Sequence, residues 1–221
     1  MQILKYSFPS FQTTVLLFFS RKEHSMLPAI TDALNLWQLF TFQVERLIST
    51  LGPIGLFKPE HADPFRSRLP QTGCFLLVPP KPQRPDWSLL MQLVEFKGAR
   101  GKYQLAPNAL RDVTVMPDVP SLLTDVEDGT VRMGIKPSIS EKNILRKKRF
   151  PYTVWHGIVH AIVFPEFLDT HGMHLLGSRC RSDNVLPRLF FFDGAPQLYA
   201  HWRDDPSPKY GAASYEKLIL P

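Results

Sequence analysis

The stretch Leu186-Pro187-Arg188-Leu189-Phe190-Phe191-Phe192-Asp193-Gly194-Ala195-Pro196-Gln197-Leu198-Tyr199-Ala200-His201-Trp202 sets two apolar runs on either side of an Asp-Gly pair. Asp and Gly tolerate the positive φ that a tight hairpin turn requires, so the runs read as neighbouring antiparallel strands. Period-two alternation in the second run predicts Leu198, Ala200 and Trp202 toward a core and Gln197, Tyr199 and His201 outward. Further short apolar runs lie at 173–176 and 212–215, set off by Gly177-Ser178, Asp183-Asn184 and Asp204-Asp205-Pro206. Connections this short leave no room for crossover helices, which predicts a C-terminal antiparallel β-meander.

Upstream the pattern turns helical. Ile30, Leu34, Trp37, Phe40, Val44, Leu47, Ile48 and Leu51 recur every three or four residues, predicting an amphipathic helix from Pro28 to Leu51 that Gly52-Pro53 stops. Its polar face, Gln43 and Glu45 included, is expected in water. The run 73–78 reads as a buried strand. Asp86 can cap a helix from Trp87 to Val94 with Leu89, Leu90 and Leu93 inward. Residues 98–102 form a tight turn, whose two glycines and two bases also suit an anion-binding nest. Residues 119–126 read as a strand closed by Glu127-Asp128-Gly129. Ser138 with Glu141 matches a capping box for a helix ending near Lys148, and Thr153 caps a second, apolar helix through Phe164. The fold class is therefore α+β, with an N-terminal amphipathic helix, a mixed central part and the meander.

Within 221 residues, 44% of them hydrophobic, one domain is expected. Residues 1–25 are assigned to an arm or an upstream-start extension, and 26–221 to the domain. The apolar run 13–19 lacks the flanks of a signal peptide and is too short to span a bilayer, so no membrane partner is expected. Cys74 and Cys180 show no CxxC spacing and read as reduced thiols of a cytoplasmic protein, with a disulfide between them the open alternative. The net charge of +6 favours anionic partners, either a small ligand or nucleic acid.

Four groups carry candidate chemistry. His156 and His160, four residues apart on one helical face, have the spacing of two metal ligands, but the Glu that follows the first His in hydrolytic zinc helices is missing. Ser178 and Cys180 are possible nucleophiles without the strand-turn-helix context of a nucleophile elbow. Lys142, Arg146, Lys147, Lys148 and Arg149 either complement a helix C-terminus or contact phosphate. Ser178, Arg179, Asp193 and Arg203 lie in turns that converge on a ligand at one end of the meander, or else pair with acids at the surface.

The order of short segments resembles a bacterial domain-of-unknown-function family, numbered 5701. The likeness is carried by residues 151–157, 164–168, 176–180, Val185-Leu186-Pro187, 194–198 and 210–214, and more weakly by 119–129 and 42–45. The resemblance implies no activity, cofactor or catalytic residue. It marks two departures: the family carries Glu where this chain has His156, losing a capping-box carboxylate, and a Trp-containing strand end where it has Tyr210. The expected function is a non-enzymatic ligand-binding or adaptor module with no cofactor, followed by a nucleic-acid-associated protein and then a small hydrolase or metal enzyme.

Overall fold

The computed structural model describes residues 35–71 and 74–221, together with the backbone of 2–7 and 14–19. Gln2–Ser7 (β1) and Thr14–Phe19 (β2) pair antiparallel, with Gln2 opposite Phe19. The rest of the N-terminal segment lies outside the described residues, as do 28–34 of the expected first helix.

Asn35 is extended, so the expected run from Pro28 to Leu51 is not one continuous helix: among the described residues the helix spans Leu36–Leu51 (α1), with Asn35 as its cap. Asn35 Oδ1 accepts the Gln38 N–H at 2.9 Å and Gln38 Oε1 accepts the Asn35 N–H at 3.1 Å, a reciprocal cap that satisfies two otherwise orphaned donors. The inner face is also rotated from expectation. Trp37 and Ile48 are exposed, whereas Phe42 and Gln43 are buried. Gln43 does not face water, because its amide clips α1 to Phe75–Val78 (β3): Nε2 donates to the Phe75 carbonyl at 3.0 Å and Oε1 accepts the Leu77 N–H at 2.8 Å. β3 is an edge strand, so the Gln43 side chain supplies backbone partners that no neighbouring strand provides there.

Asp86 caps Trp87–Gln92 (α2) by accepting the N–H groups of Ser88 and Leu89, both at 3.0 Å. Leu90 and Met91 turn inward, and Leu89 is exposed against the expectation. Glu95–Phe96 (β4) and Ala99–Arg100 (β5) form a small hairpin, followed by Lys102–Tyr103 (β6) and Leu110–Asp112 (β7). Ser121–Thr124 (β8) pairs with β3.

Pro137–Arg146 (α3) begins at a proline, which fits a first helical turn because the missing N–H has no partner to lose there. That start overturns the expected Ser138–Glu141 capping box. Ser138 lies inside the helix and donates to Asp204, while Glu141 holds two arginines described below. Phe150–Pro151 (β9) leads to Val154–Val163 (α4), whose ten residues are all buried. A helix apolar on every side belongs in the interior, and α4 packs against α1 and β3.

The C-terminal strands are Gly172–His174 (β10), Ser178–Cys180 (β11), Val185–Phe192 (β12), Ala195–Trp202 (β13), Tyr210–Ala212 (β14), Ser214–Tyr215 (β15) and Lys217–Ile219 (β16). The main sheet runs β14-β10-β12-β13-β6. Its centre is antiparallel, with Leu189 opposite Leu198, and its two edge pairings, β10 with β14 and β13 with β6, are parallel. β11 leaves this sheet to pair with β7, β15 pairs with β9, and β16 joins β8 and β3 in a three-stranded antiparallel sheet. The alternation in β13 holds at Leu198, which is fully buried, and fails at Trp202, which is 65% exposed where the strand runs past the core. No disulfide joins Cys74 to Cys180. Among the described residues no helix is long and apolar enough to cross a membrane.

Candidate functional site: two grooves beside one short helix

Helix α2 separates two grooves of about 830 Å³ each, a size that suits a small molecule. The first lies between the proline-rich loop 79–85, the start of α2 and the segment from Tyr103 to Asp112. Its loop is pinned at one end, where the buried Trp155 Nε1 donates to the Pro79 carbonyl at 2.9 Å. Three bases, Lys81, Arg84 and Arg111, line it beside the half-buried rings of Trp87 and Tyr103. Burial raises the Tyr103 phenol above its ordinary pKa, with Cys180 adding to the effect, and the hydroxyl donates to the Ala106 carbonyl at 3.1 Å.

The acids of this groove are committed. Asp86 accepts the backbone donors of α2. Asp112 accepts from Lys81 Nζ at 2.6 Å through one oxygen and from Ser178 Oγ at 2.6 Å through the other. Ser178 in turn accepts the Val154 N–H at 2.9 Å, tying the groove wall to the first turn of α4. Arg111 pairs with Asp183. Arg84 is exposed and enters no ion pair or hydrogen bond among the described residues. Arg84 is therefore the base this groove presents without a partner among the described residues, beside aromatic surface and the paired Lys81 and Arg111.

The second groove runs from the last turn of α1 across the end of α2 and the β4–β5 hairpin to the loop after α4. Its floor includes Ile54, Leu89, Leu93 and Ile162, and its charges balance: Arg46, Lys97 and Arg100 against Glu95, Glu166 and Asp169. Lys97 pairs with Asp169 and lies 5.1 Å from the centre of the Phe96 ring.

The residues singled out from sequence fall elsewhere in part. Ser178 is fully buried, a structural link and not a surface ligand group. Arg179 and Arg203 do come together, on Glu141, with Arg203 Nη2 at 2.7 Å from it. Asp193 sits at the tip of the β12–β13 hairpin, at the opposite end of those strands from Arg203. In the basic segment, Arg149 is buried, with Nη1 2.7 Å from Asp125 and Nε donating to Ser214 Oγ at 3.0 Å. Lys142, Arg146, Lys147 and Lys148 are exposed near the C-terminal end of α3 and line neither groove.

The histidines that crowd the sequence are divided among separate environments. His156 and His160 are fully buried, and burial pushes them down to about 3 and about 4. His156 Nδ1 accepts the Thr153 N–H at 3.1 Å, and His160 Nδ1 lies 3.4 Å from the Tyr152 hydroxyl. His171 Nε2 is 3.1 Å from the Asp128 carbonyl, and His174 Nε2 is 3.3 Å from His201 Nδ1. Among the described residues no three His, Cys, Asp or Glu side chains are grouped to hold a metal ion. Burial pushes the Cys180 thiol up to about 12, so it is not a thiolate at neutral pH.

Sequence reasoning missed Lys81, Arg84, Trp87, Tyr103 and Asp112 as one group. The only local signal was the proline-rich loop 79–85 with the two bases Lys81 and Arg84 within it. In comparison with known proteins, the family of unknown function DUF5701 matches residues 46–217, a span that takes in both grooves. No curated protein and no solved structure matches the chain.

Proposed function

The chain belongs to this family of unknown function, and on that premise we propose that it is a ligand-binding module, not an enzyme, whose basic groove receives an anionic small molecule bearing a flat ring. The support is the placing of Lys81, Arg84 and Arg111 around Trp87 and Tyr103, with both nearby carboxylates already engaged. Charge-assisted hydrogen bonds from guanidinium and ammonium groups would hold a phosphate or similar anion, and the aromatic side chains would bury a ring. A nucleoside monophosphate has both parts. The fully buried Ser178 and the protonated Cys180 favour binding over nucleophilic chemistry. The buried Cys180, whose thiol burial pushes up to about 12, supports a reducing, cytoplasmic setting.

The test is a thermal-shift titration with adenosine monophosphate, adenosine and inorganic phosphate, since a ligand bound only by the native state raises the midpoint. The nucleotide should shift it more than either fragment, the shift should shrink with salt, and Arg84→Ala should remove most of it. Absence of a shift across purine and pyrimidine nucleotides would reject the reading. A second reading rests on the exposed Lys142, Arg146, Lys147 and Lys148. It requires salt-sensitive binding of labelled oligonucleotides that is lost when these four bases are neutralised.

A further inference from the structure

Arg46 is placed where an arginine is costly. It leaves the last turns of α1 into the wall of the second groove, half-buried, with its guanidinium 5.8 Å from the centre of the Phe42 ring. Its Nε is shielded from water and has no hydrogen-bond partner, and the side chain enters no ion pair among the described residues. A buried donor without an acceptor carries its full desolvation penalty, so such a group at a cavity wall marks a place where an acceptor arrives from outside. Arg100, on the same groove, is exposed and likewise enters no ion pair among the described residues. Apolar side chains line the same groove, with Glu95 and Glu166 also on it and Asp169 paired with Lys97.

We propose that this groove is a second binding site, distinct from the basic one, for a small molecule that carries a carboxylate on an apolar body, with Arg46 as the carboxylate clamp. A planar guanidinium matches a carboxylate with two parallel donors, and the Ile54, Leu89, Leu93 and Ile162 side chains cover the hydrocarbon part. The balanced charge of the lining also admits a ligand with an ammonium group, so a simple carboxylic acid and an apolar amino acid share the required chemistry.

The probes are 4-methylpentanoate, leucine and 4-methylpentanamide, titrated by calorimetry and followed by thermal shift. At least one of the two acids should bind at one site per chain, and which of them binds tells the anionic source from the zwitterionic one. The neutral amide should bind at least about ten-fold more weakly, because it carries no charge to pair with Arg46 and offers one acceptor oxygen in place of two, losing the bidentate contact. Arg46→Met should leave the ligand-free midpoint unchanged or raise it, since it removes an unsatisfied buried donor, and should abolish binding of the acid. Arg84→Ala should leave acid binding unchanged, which separates this site from the first. The proposal fails if neither acid binds, if the amide binds as well as the acids, if Arg46→Met retains acid affinity, or if that substitution lowers the midpoint.

Discussion

Thr153 and His156 cap α4 for one another: Thr153 Oγ1 accepts the His156 N–H at 3.4 Å while His156 Nδ1 accepts the Thr153 N–H at 3.1 Å. The resemblance to the family implied a lost capping carboxylate at this position, yet the box itself is kept. A neutral imidazole nitrogen accepts the hydrogen bond: burial, which holds His156 down to about 3, keeps the ring neutral, and the Thr153 N–H selects the tautomer whose Nδ1 is free of a proton. His156→Ala should lose the cap and leave a cavity, a combined cost of about 3 kcal/mol in urea unfolding. His156→Gln, which keeps an acceptor at the third helical position, should cost about 1 kcal/mol. Equal costs for the two would show that the side chain serves only to fill space.

Acid stability follows from the same burial. His156, His160 and His174 are pushed down to about 3, about 4 and about 3, with desolvation the largest cause for each. In the unfolded chain these imidazoles take up protons below about pH 6.5. The unfolded state therefore binds more protons than the folded state from there down to about pH 4, and stability falls as pH falls through this window. Each group contributes a slope of up to about 1.4 kcal/mol per pH unit. Thermal midpoints at constant ionic strength should be flat above pH 7 and drop steeply between pH 6 and 4.5, with a shallower drop in His160→Gln. A midpoint independent of pH across that range would contradict the buried neutral state.

Glu141 receives two arginines from different strands and loops. Arg179, nearly inaccessible, reaches it from β11 and also donates to the Leu176 carbonyl at 2.6 Å, while Arg203, more exposed, approaches to 2.7 Å from the end of β13. Removing the carboxylate leaves Arg179 buried and uncompensated, so Glu141→Ala should destabilise by about 3–5 kcal/mol. Arg203→Ala should cost about 1 kcal/mol or less, because its partner keeps Arg179 and water still reaches the site. The double variant Glu141→Leu with Arg179→Met should be more stable than Glu141→Ala alone, as apolar replacement of a whole buried pair is tolerated better than loss of one member. Denaturant midpoints of the four proteins decide it.

Which of these features the sequence made legible follows from the range of the interaction. Asp193-Gly194 declares a hairpin because the chemistry lies within the turn itself, and both residues have positive φ, 49° and 71°. Thr153 and Asp86 declare helix starts for the same reason. Ser138 and Glu141 mislead because their side chains are drawn to Asp204, Arg179 and Arg203, partners that no local pattern contains. Ser178 was noticed as a turn serine, yet its role depends on Asp112, 66 residues away. The grooves were invisible for the same cause, since each joins segments that become neighbours only through packing around α2. Alternation along β13 reports a pleat and cannot say where the core beneath it ends, so Trp202 was misplaced while Leu198 was not.

The approach of Gly129 to Gly211 gives the sharpest backbone test. Gly129 holds φ at 104°, a conformation that L side chains rarely adopt, directly beside β14. A Cβ built on Gly211 would lie 1.9 Å from the Gly129 carbonyl oxygen, and one on Gly129 would lie 2.7 Å from the Gly211 oxygen. The obstructing atoms are backbone on both sides, so no side chain can rotate away to make room. Gly211 also stands opposite Met173 in the parallel pairing of β14 with β10, and displacement there would open one edge of the main sheet. Gly211→Ala should therefore cost more than about 3 kcal/mol or prevent folding, the outcome of overpacking where the backbone cannot relax. Gly194→Ala is the control. It has a positive φ of 71° but nothing within 4 Å of the added carbon, so it should cost only the backbone strain of about 1–2 kcal/mol. A Gly211→Ala protein as stable as Gly194→Ala in urea would mean that the two segments do not approach as closely as described.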